Sequence, residues 1–184
     1  MARHEIRIVG GMWKRSKLPV ADRPGLRPTP DRVRETLFNW LGHDLTGWRC
    51  IDVFAGTGAL GFEAASRGAL DVCLVEQDPR LVAQLKATQT RLQASAVRVQ
   101  RGDGICVLRQ LAPASMDAVF LDPPFDSNLI EGALQAAVAA LNPHGYVYLE
   151  APGEWANDQL APFGLTVFRH LKAAAVHAHV LKRA

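Results

Sequence analysis

The sequence predicts an α/β fold: a mostly parallel seven-stranded sheet with helices on both faces, an antiparallel strand pair at its C-terminal end and a short N-terminal hairpin arm. Two observations carry this expectation. From residue 48 onward, short apolar runs alternate with helix-period stretches, the pattern of strands joined by crossover helices. The last two apolar runs instead follow one another almost directly, as the strands of a hairpin do. Length agrees, because 184 residues make one compact domain with a substantial core.

In chain order, Ile6 to Leu18 reads as the hairpin, with Gly10-Gly11 as its turn. A Pro-rich connector follows at Leu26–Pro30, so residues 1–28 form the arm and connector and 29–184 the main body. Thr29 reads as a helix N-cap and Pro30 as the first helical residue. That helix sets Val33, Leu37, Trp40 and Leu41 on one stripe, with Arg32, Arg34 and Glu35 outside it. Strand-like runs come at Cys50–Phe54, Val72–Val75, Ala96–Val99, Ala118–Leu121 and Tyr146–Leu149. Helical patterns lie between them at Ala59–Arg67, Arg80–Leu92, Ile105–Leu111 and Leu129–Leu141. Leu165–Leu171 and Ala174–Leu181 complete the sheet as the antiparallel pair.

The net charge of +3 hides an uneven distribution. Residues 1–34 carry nine Lys/Arg against three Asp/Glu, and residues 35–184 carry twelve against fifteen. A basic arm on a mildly acidic body suits an anionic partner touched by the arm, or else a plain solvated surface. Cys50, Cys73 and Cys106 are too far apart for a C-x-x-C pair or a zinc motif, and the first two fall in strands as small buried hydrophobes. The six histidines show no ligand spacing, so no metal site is expected; His177 and His179 share one face of the last strand as packing or surface residues. The first residues lack an apolar h-region, and polar residues with Pro143 break the longest charge-free stretch, Gly132–Leu149. A soluble, cytoplasmic protein is expected.

Ligands of parallel sheets bind beyond the carboxyl ends of the strands. There stand Asp52-Val53-Phe54-Ala55-Gly56-Thr57-Gly58-Ala59-Leu60-Gly61, then Glu76, Gly102-Asp103 and Asp122-Pro123-Pro124-Phe125. Residues 56–61 match G-x-G-x-x-G, whose glycines permit a tight turn and close approach to a ligand. Glu76, twenty residues after Gly56, is spaced to accept hydrogen bonds from ribose hydroxyls. This much suits NAD and S-adenosylmethionine alike. Asp52 favours the second, since a carboxylate before the glycine turn opposes a pyrophosphate but suits ammonium and sulfonium charge. A loop-capping role through backbone N–H groups is compatible with that. Asp103 either accepts from an adenine amino group or is an ordinary turn aspartate.

Asp122-Pro123-Pro124-Phe125 is the sharpest feature. A buried strand ends in a carboxylate and two prolines, which have no N–H to donate, so the turn offers acceptors only. The Asp122 carboxylate and the Pro123 carbonyl suit the two N–H donors of an exocyclic base amine, orienting its nitrogen toward a sulfonium methyl. Phe125 suits stacking on the base plane, with Pro124 beside it. No nucleophilic triad is present, and no cysteine sits beside these motifs.

With these motifs the chain resembles the amino-methyltransferases that act on adenine N6 or guanine N2. Gly25-Leu26-Arg27-Pro28-Thr29-Pro30-Asp31-Arg32-Val33-Arg34-Glu35-Thr36-Leu37-Phe38-Asn39-Trp40-Leu41, together with Ile6–Gly11, is similar to the RsmD family, which methylates guanine N2, conventionally of guanine 966, in bacterial 16S rRNA. The resemblance implies a Rossmann-like class I methyltransferase fold. It implies S-adenosylmethionine held by Asp52, Phe54, Gly56, Gly58 and Glu76, with Asp103 on adenine, and a target-amine site of Asp122, Pro123 and Phe125. It further implies a monomer acting on 16S rRNA in assembled or assembling small subunits, with ribosomal proteins adjacent. Pro30 departs from the family, which often has a second threonine there.

The arm then has a use. Arg7, Lys14 and Arg15 suit neutralisation of RNA phosphates. Trp13 suits stacking on an unpaired base, or packing on the body. Arg27, Arg32 and Arg34 lie beside the first helix, placed for RNA or the cofactor carboxylate, or for bridges to Asp31 or Glu35. Three other readings stay open: a nicotinamide-dependent oxidoreductase, a noncatalytic RNA-binding assembly factor, and an adenine-N6 DNA methyltransferase. The last is disfavoured because 184 residues leave little room for a separate target-reading domain.

Overall fold

The alternating apolar runs form a seven-stranded sheet in a computed structural model that describes residues 5–21, 28–125 and 128–184. Its strands are β3 (Arg49–Asp52), β4 (Asp71–Glu76), β5 (Val97–Arg101), β6 (Met116–Leu121), β7 (Leu141–Ala151), β8 (Leu165–Ala173) and β9 (Val176–Arg183). They lie in the order β5-β4-β3-β6-β7-β9-β8. β5 through β7 run parallel, and β9 is antiparallel to both β7 and β8. The predicted topology is therefore observed. Strand order reverses between β3 and β6, which opens a crevice at their carboxyl ends.

Alternation along the strands builds two cores. Ala118 and Phe120 of β6 face one cluster, with Cys50, Leu74 and Tyr148. Val119 and Leu121 face the other, with Ile51, Val75 and Leu149. The first core is covered by α1 (Asp31–Leu41), α2 (Ala59–Ser66) and α3 (Pro79–Arg91), and the second by α4 (Gly104–Arg109), α5 (Ile130–Ala140) and α6 (Asn157–Leu160).

Helix α1 departs from its expected start. Pro30 is its N-cap and no side chain caps it; the Thr29 hydroxyl donates instead to Glu150, across the crevice on β7. Its buried face is also wider than the apolar stripe, because Arg34 and Phe38 are buried with Val33, Leu37 and Leu41 while Trp40 is half-buried. Gly42, with φ +104°, ends the helix in the left-handed conformation that glycine adopts without strain.

The arm is a hairpin of β1 (Glu5–Arg7) and β2 (Lys17–Pro19), but Gly10-Gly11 is not its turn. Residues 8–16 join the strands, and the glycines dock on α2. The Val9 and Gly10 amides donate to the two Glu63 oxygens at 2.9 and 2.8 Å, and Ser66 Oγ donates to the Gly10 carbonyl at 2.6 Å. Gly11 has φ +75°, and a Cβ there would lie 1.9 Å from the Ser66 carbonyl oxygen. Gly11→Ala is therefore expected to lower unfolding free energy by about 2 kcal/mol or more, read by urea denaturation. Ile8 and Leu18 are buried in the first core, so the arm is packed onto the body along α2.

Candidate active site

Register brings the acidic strand ends together. Asp52 pairs with Phe120, and Phe120 with Tyr148, so all three side chains point to the same face of the sheet. Two residues further along β7, Glu150 projects from that same face, and Asp122, just past the end of β6, lies close enough to feel the charges of Glu150 and Asp52. Asp52 and Glu150 are buried and Asp122 is half-buried. Glu150 was not singled out in the sequence. It follows the Tyr146–Leu149 run just as Asp122 follows Ala118–Leu121, so the strand-end signal that flagged Asp122 applied to it equally.

Three carboxyls this close cannot all ionise cheaply. Burial, followed by repulsion from Glu150 and Asp52, pushes the Asp122 carboxyl well above its ordinary range. Burial also raises Glu150, against hydroxyls of Thr29 and Tyr148 that donate to its Oε1, the latter at 2.8 Å. Asp52 is raised to about 7 by burial, opposed by the Gly61 amide that donates to its Oδ2 at 3.0 Å. Its other oxygen, Oδ1, is buried without a hydrogen-bond partner among the described residues. An under-neutralised acidic pocket with an orphaned carboxylate oxygen is a receptor for a cation.

The second half of the site spans β3 to β5. Gly56 and Gly58 take positive φ values of 53° and 79°, as the tight turn requires. Gly58 is also closely packed, for a Cβ there would lie 2.6 Å from the Phe62 ring. Glu76 Oε2 accepts the Gly56 amide at 3.0 Å, while its Oε1 accepts those of Gln77 and Asp78. Asp103 caps α4, its Oδ1 accepting the Cys106 amide at 2.8 Å and its Oδ2 accepting from Gln77 Nε2 at 3.0 Å. The Cys106 amide, with smaller help from the Ile105 amide and the Arg109 charge, holds its carboxyl below the usual range. Cys106, expected apart from the motifs, thus touches one through its backbone. Phe54 is half-buried against the second core. Left-handed glycines, a carboxylate at the tip of β4 and the orphaned Asp52 oxygen together fit a nucleoside bearing positive charge.

On the other side of the crevice, Pro123 is buried, Pro124 exposed, and Phe125 exposed at 42%. Among the basic candidates, Arg7, Lys14, Arg15 and Arg32 are exposed, and Trp13 is half-buried against the first core. Arg27 lies outside the described residues. Arg34 requires correction: it is not at a nucleic-acid surface. Its guanidinium is fully buried, donating to Glu63 at 3.2 Å, to the Thr29 and Arg7 carbonyls at 3.0 and 2.8 Å, and to Asp31. The anticipated Asp31 bridge is present, within a larger brace that holds the arm, α1 and α2 together.

A family profile described as Conserved hypothetical protein 95 matches residues 6–182. The chain is a member of the RsmD family. Two relatives in this family are called Ribosomal RNA small subunit methyltransferase D. The Escherichia coli K12 protein is 48% identical over 127 residues, which cover 69% of this chain and 64% of that protein. The Haemophilus influenzae protein is 42% identical over 154 residues, 81% of this chain and 80% of its own length. A solved Escherichia coli structure, a putative methyltransferase yhhF, superposes on this RsmD-family chain with a TM-score of 0.84 at 37% identity, covering 98% of both chains. No described helix is long and apolar enough to cross a membrane.

Proposed function

We propose that the protein is an S-adenosylmethionine-dependent methyltransferase acting on the exocyclic N2 amine of a guanine in 16S rRNA, guanine 966 in conventional rRNA numbering, within cytoplasmic small ribosomal subunits. The observation that carries this reading is the convergence of Asp52, Asp122 and Glu150 at neighbouring strand ends, beside the acceptor-only turn Asp122-Pro123-Pro124. The pocket's acidity disfavours a pyrophosphate, and with it a nicotinamide dinucleotide. The names of the RsmD-family relatives support small-subunit rRNA as substrate.

Glu76 receives the ribose hydroxyls, Asp103 the adenine amine, and Asp52 the cationic end of the cofactor. When bound, S-adenosylmethionine supplies an electrophilic methyl on a positively charged sulfur. Asp122 and the Pro123 carbonyl would accept hydrogen bonds from the two amine N–H groups and orient the nitrogen lone pair toward the methyl that the cofactor supplies. Phe125 stacks on the base. On methylation the amine would shed one proton to Asp122, made more basic than an ordinary carboxylate by burial and Glu150. Arg7, Lys14, Arg15 and Arg32 bind RNA phosphates, and Trp13 borders them.

Calorimetric titration tests the cofactor assignment: S-adenosylmethionine binds saturably and NADH does not, and Glu76→Ala weakens binding about tenfold to a hundredfold. Saturable NADH binding without S-adenosylmethionine binding contradicts it. The affinity also depends on pH. In the free protein Asp52 holds a proton below about pH 7, and a cationic ligand favours its ionised form, so that proton must leave on binding. S-adenosylmethionine is expected to bind progressively more weakly as pH falls from 8 to 5.5. S-adenosylhomocysteine, whose sulfur is neutral, should weaken less.

A further inference from the structure

The edge hairpin of the sheet carries a second group of ligating side chains that the candidate active site does not use. Antiparallel register sets His170 opposite His179 and Lys172 opposite His177, so three imidazoles from two strands share one face. Their rings stack, with centroids 5.2 Å apart for His170 and His177 and 4.7 Å for His170 and His179. His170 Nε2 and His177 Nδ1 are 3.0 Å apart, a contact that needs one N–H and one lone pair. Glu154, in the segment after β7, adds a carboxylate with Oε1 3.9 Å from His170 Nδ1. One ligand atom from each of Glu154, His170 and His177 lies within 4.8 Å of the others.

We infer that Glu154, His170 and His177 bind one divalent transition-metal ion of the zinc type. A tetrahedral ion with Zn–N bonds of about 2.0–2.1 Å holds two imidazole nitrogens about 3.3 Å apart. The His170–His177 pair therefore needs to open by only a few tenths of an ångström, exchanging a shared proton for the metal, while the exposed Glu154 carboxylate, which faces the other His170 nitrogen, swings toward Nε2 to join them. Two imidazoles and one carboxylate are a zinc donor set, and the exposed side of Glu154 leaves a fourth position to water. His179 is not a ligand. Its Nε2 accepts the Trp155 amide at 3.0 Å, so its proton is on Nδ1, facing the Leu149 carbonyl at 3.3 Å. That bond fixes the backbone one residue from Glu154 and keeps the carboxylate within reach. The bound ion ties β8 and β9 to the segment that leaves β7, four residues beyond Glu150. Sequence spacing does not reveal the site because register, not proximity along the chain, assembles it.

The test takes the full chain stripped of metal and titrates zinc against a chromophoric chelator. One zinc per chain is expected, and cobalt should give the visible absorption of a four-coordinate N/O site. His170→Ala and His177→Ala should each weaken zinc binding by about tenfold or more, and Glu154→Gln by severalfold. Zinc should raise the melting temperature of wild type but not of the double variant. Melting of the metal-free variants checks that they are folded, and His177→Gln replaces His177→Ala if the alanine protein is not. Wild-type zinc affinity no greater than that of the His170→Ala/His177→Ala protein overturns the assignment. So does one zinc bound with unchanged affinity in that double variant.

Discussion

Asp122→Ala is expected to lower methyl transfer onto small-subunit rRNA by about a hundred- to ten-thousand-fold, with S-adenosylmethionine affinity changed only a few-fold. The alanine removes an acceptor for the amine and the group that takes its proton, and the Pro123 carbonyl remains as the lone anchor. Thermal stability should hold or rise, since the change relieves repulsion between Asp122 and buried Glu150. Asp122→Asn keeps the shape but turns part of the acceptor into an N–H donor facing the amine. It should therefore recover little activity. Single-turnover rates beside calorimetric cofactor affinities separate loss of chemistry from loss of binding. Near-wild-type turnover by either variant contradicts the role given to Asp122.

The largest effect on stability is expected at Glu63. Its carboxylate accepts from Arg34, Arg67 and the Val9 and Gly10 amides, all part of the buried brace between arm and body. Glu63→Ala takes from the Arg34 guanidinium, which has no exposure to water, its one buried carboxylate, leaving it the half-exposed Asp31 and two backbone carbonyls. Breaking such a pair costs about 3–5 kcal/mol, against a total stability of about 5–15 kcal/mol for a domain. Urea denaturation should show a drop of that size. Glu63→Leu with Arg34→Met removes both charges and should regain part of the loss. The Val9 and Gly10 amides would still lack their acceptor, so the arm should dock poorly and RNA affinity stay low. Full recovery of RNA binding in the double variant would mean that the arm is positioned without Glu63.

The sheet was legible because its signal is local and repeated: each apolar run is short, and each crossover has helical period. The edge position of Leu165–Leu171 and Ala174–Leu181 followed from the same rule. What escaped the sequence depends on contacts across the chain. Thr29 looked like a cap because Ser and Thr before Pro usually cap, but its hydroxyl meets Glu150, 121 residues away. Arg34 looked solvated because arginines on a helix usually are, and its burial is made tolerable by Glu63 on α2 together with Asp31 and the Thr29 and Arg7 carbonyls. Gly10-Gly11 looked like a hairpin turn because glycine marks turns, whereas at Gly11 a Cβ would strike the backbone of α2. In the candidate site, Asp52, Glu76 and Asp122 stood out through their motifs. Glu150 has no motif around it, and register alone brings it beside Asp122.

The most direct measurement is the identity of the methylated nucleoside. Small subunits from a cell lacking this activity are incubated with the protein and methyl-labelled S-adenosylmethionine, and the 16S rRNA is digested and its labelled nucleoside resolved by mass spectrometry. Label in N2-methylguanosine, at a single 16S position and absent with Asp122→Ala, is the expected result. Label in N6-methyladenosine, or no label in 16S rRNA although S-adenosylmethionine binds, would contradict it.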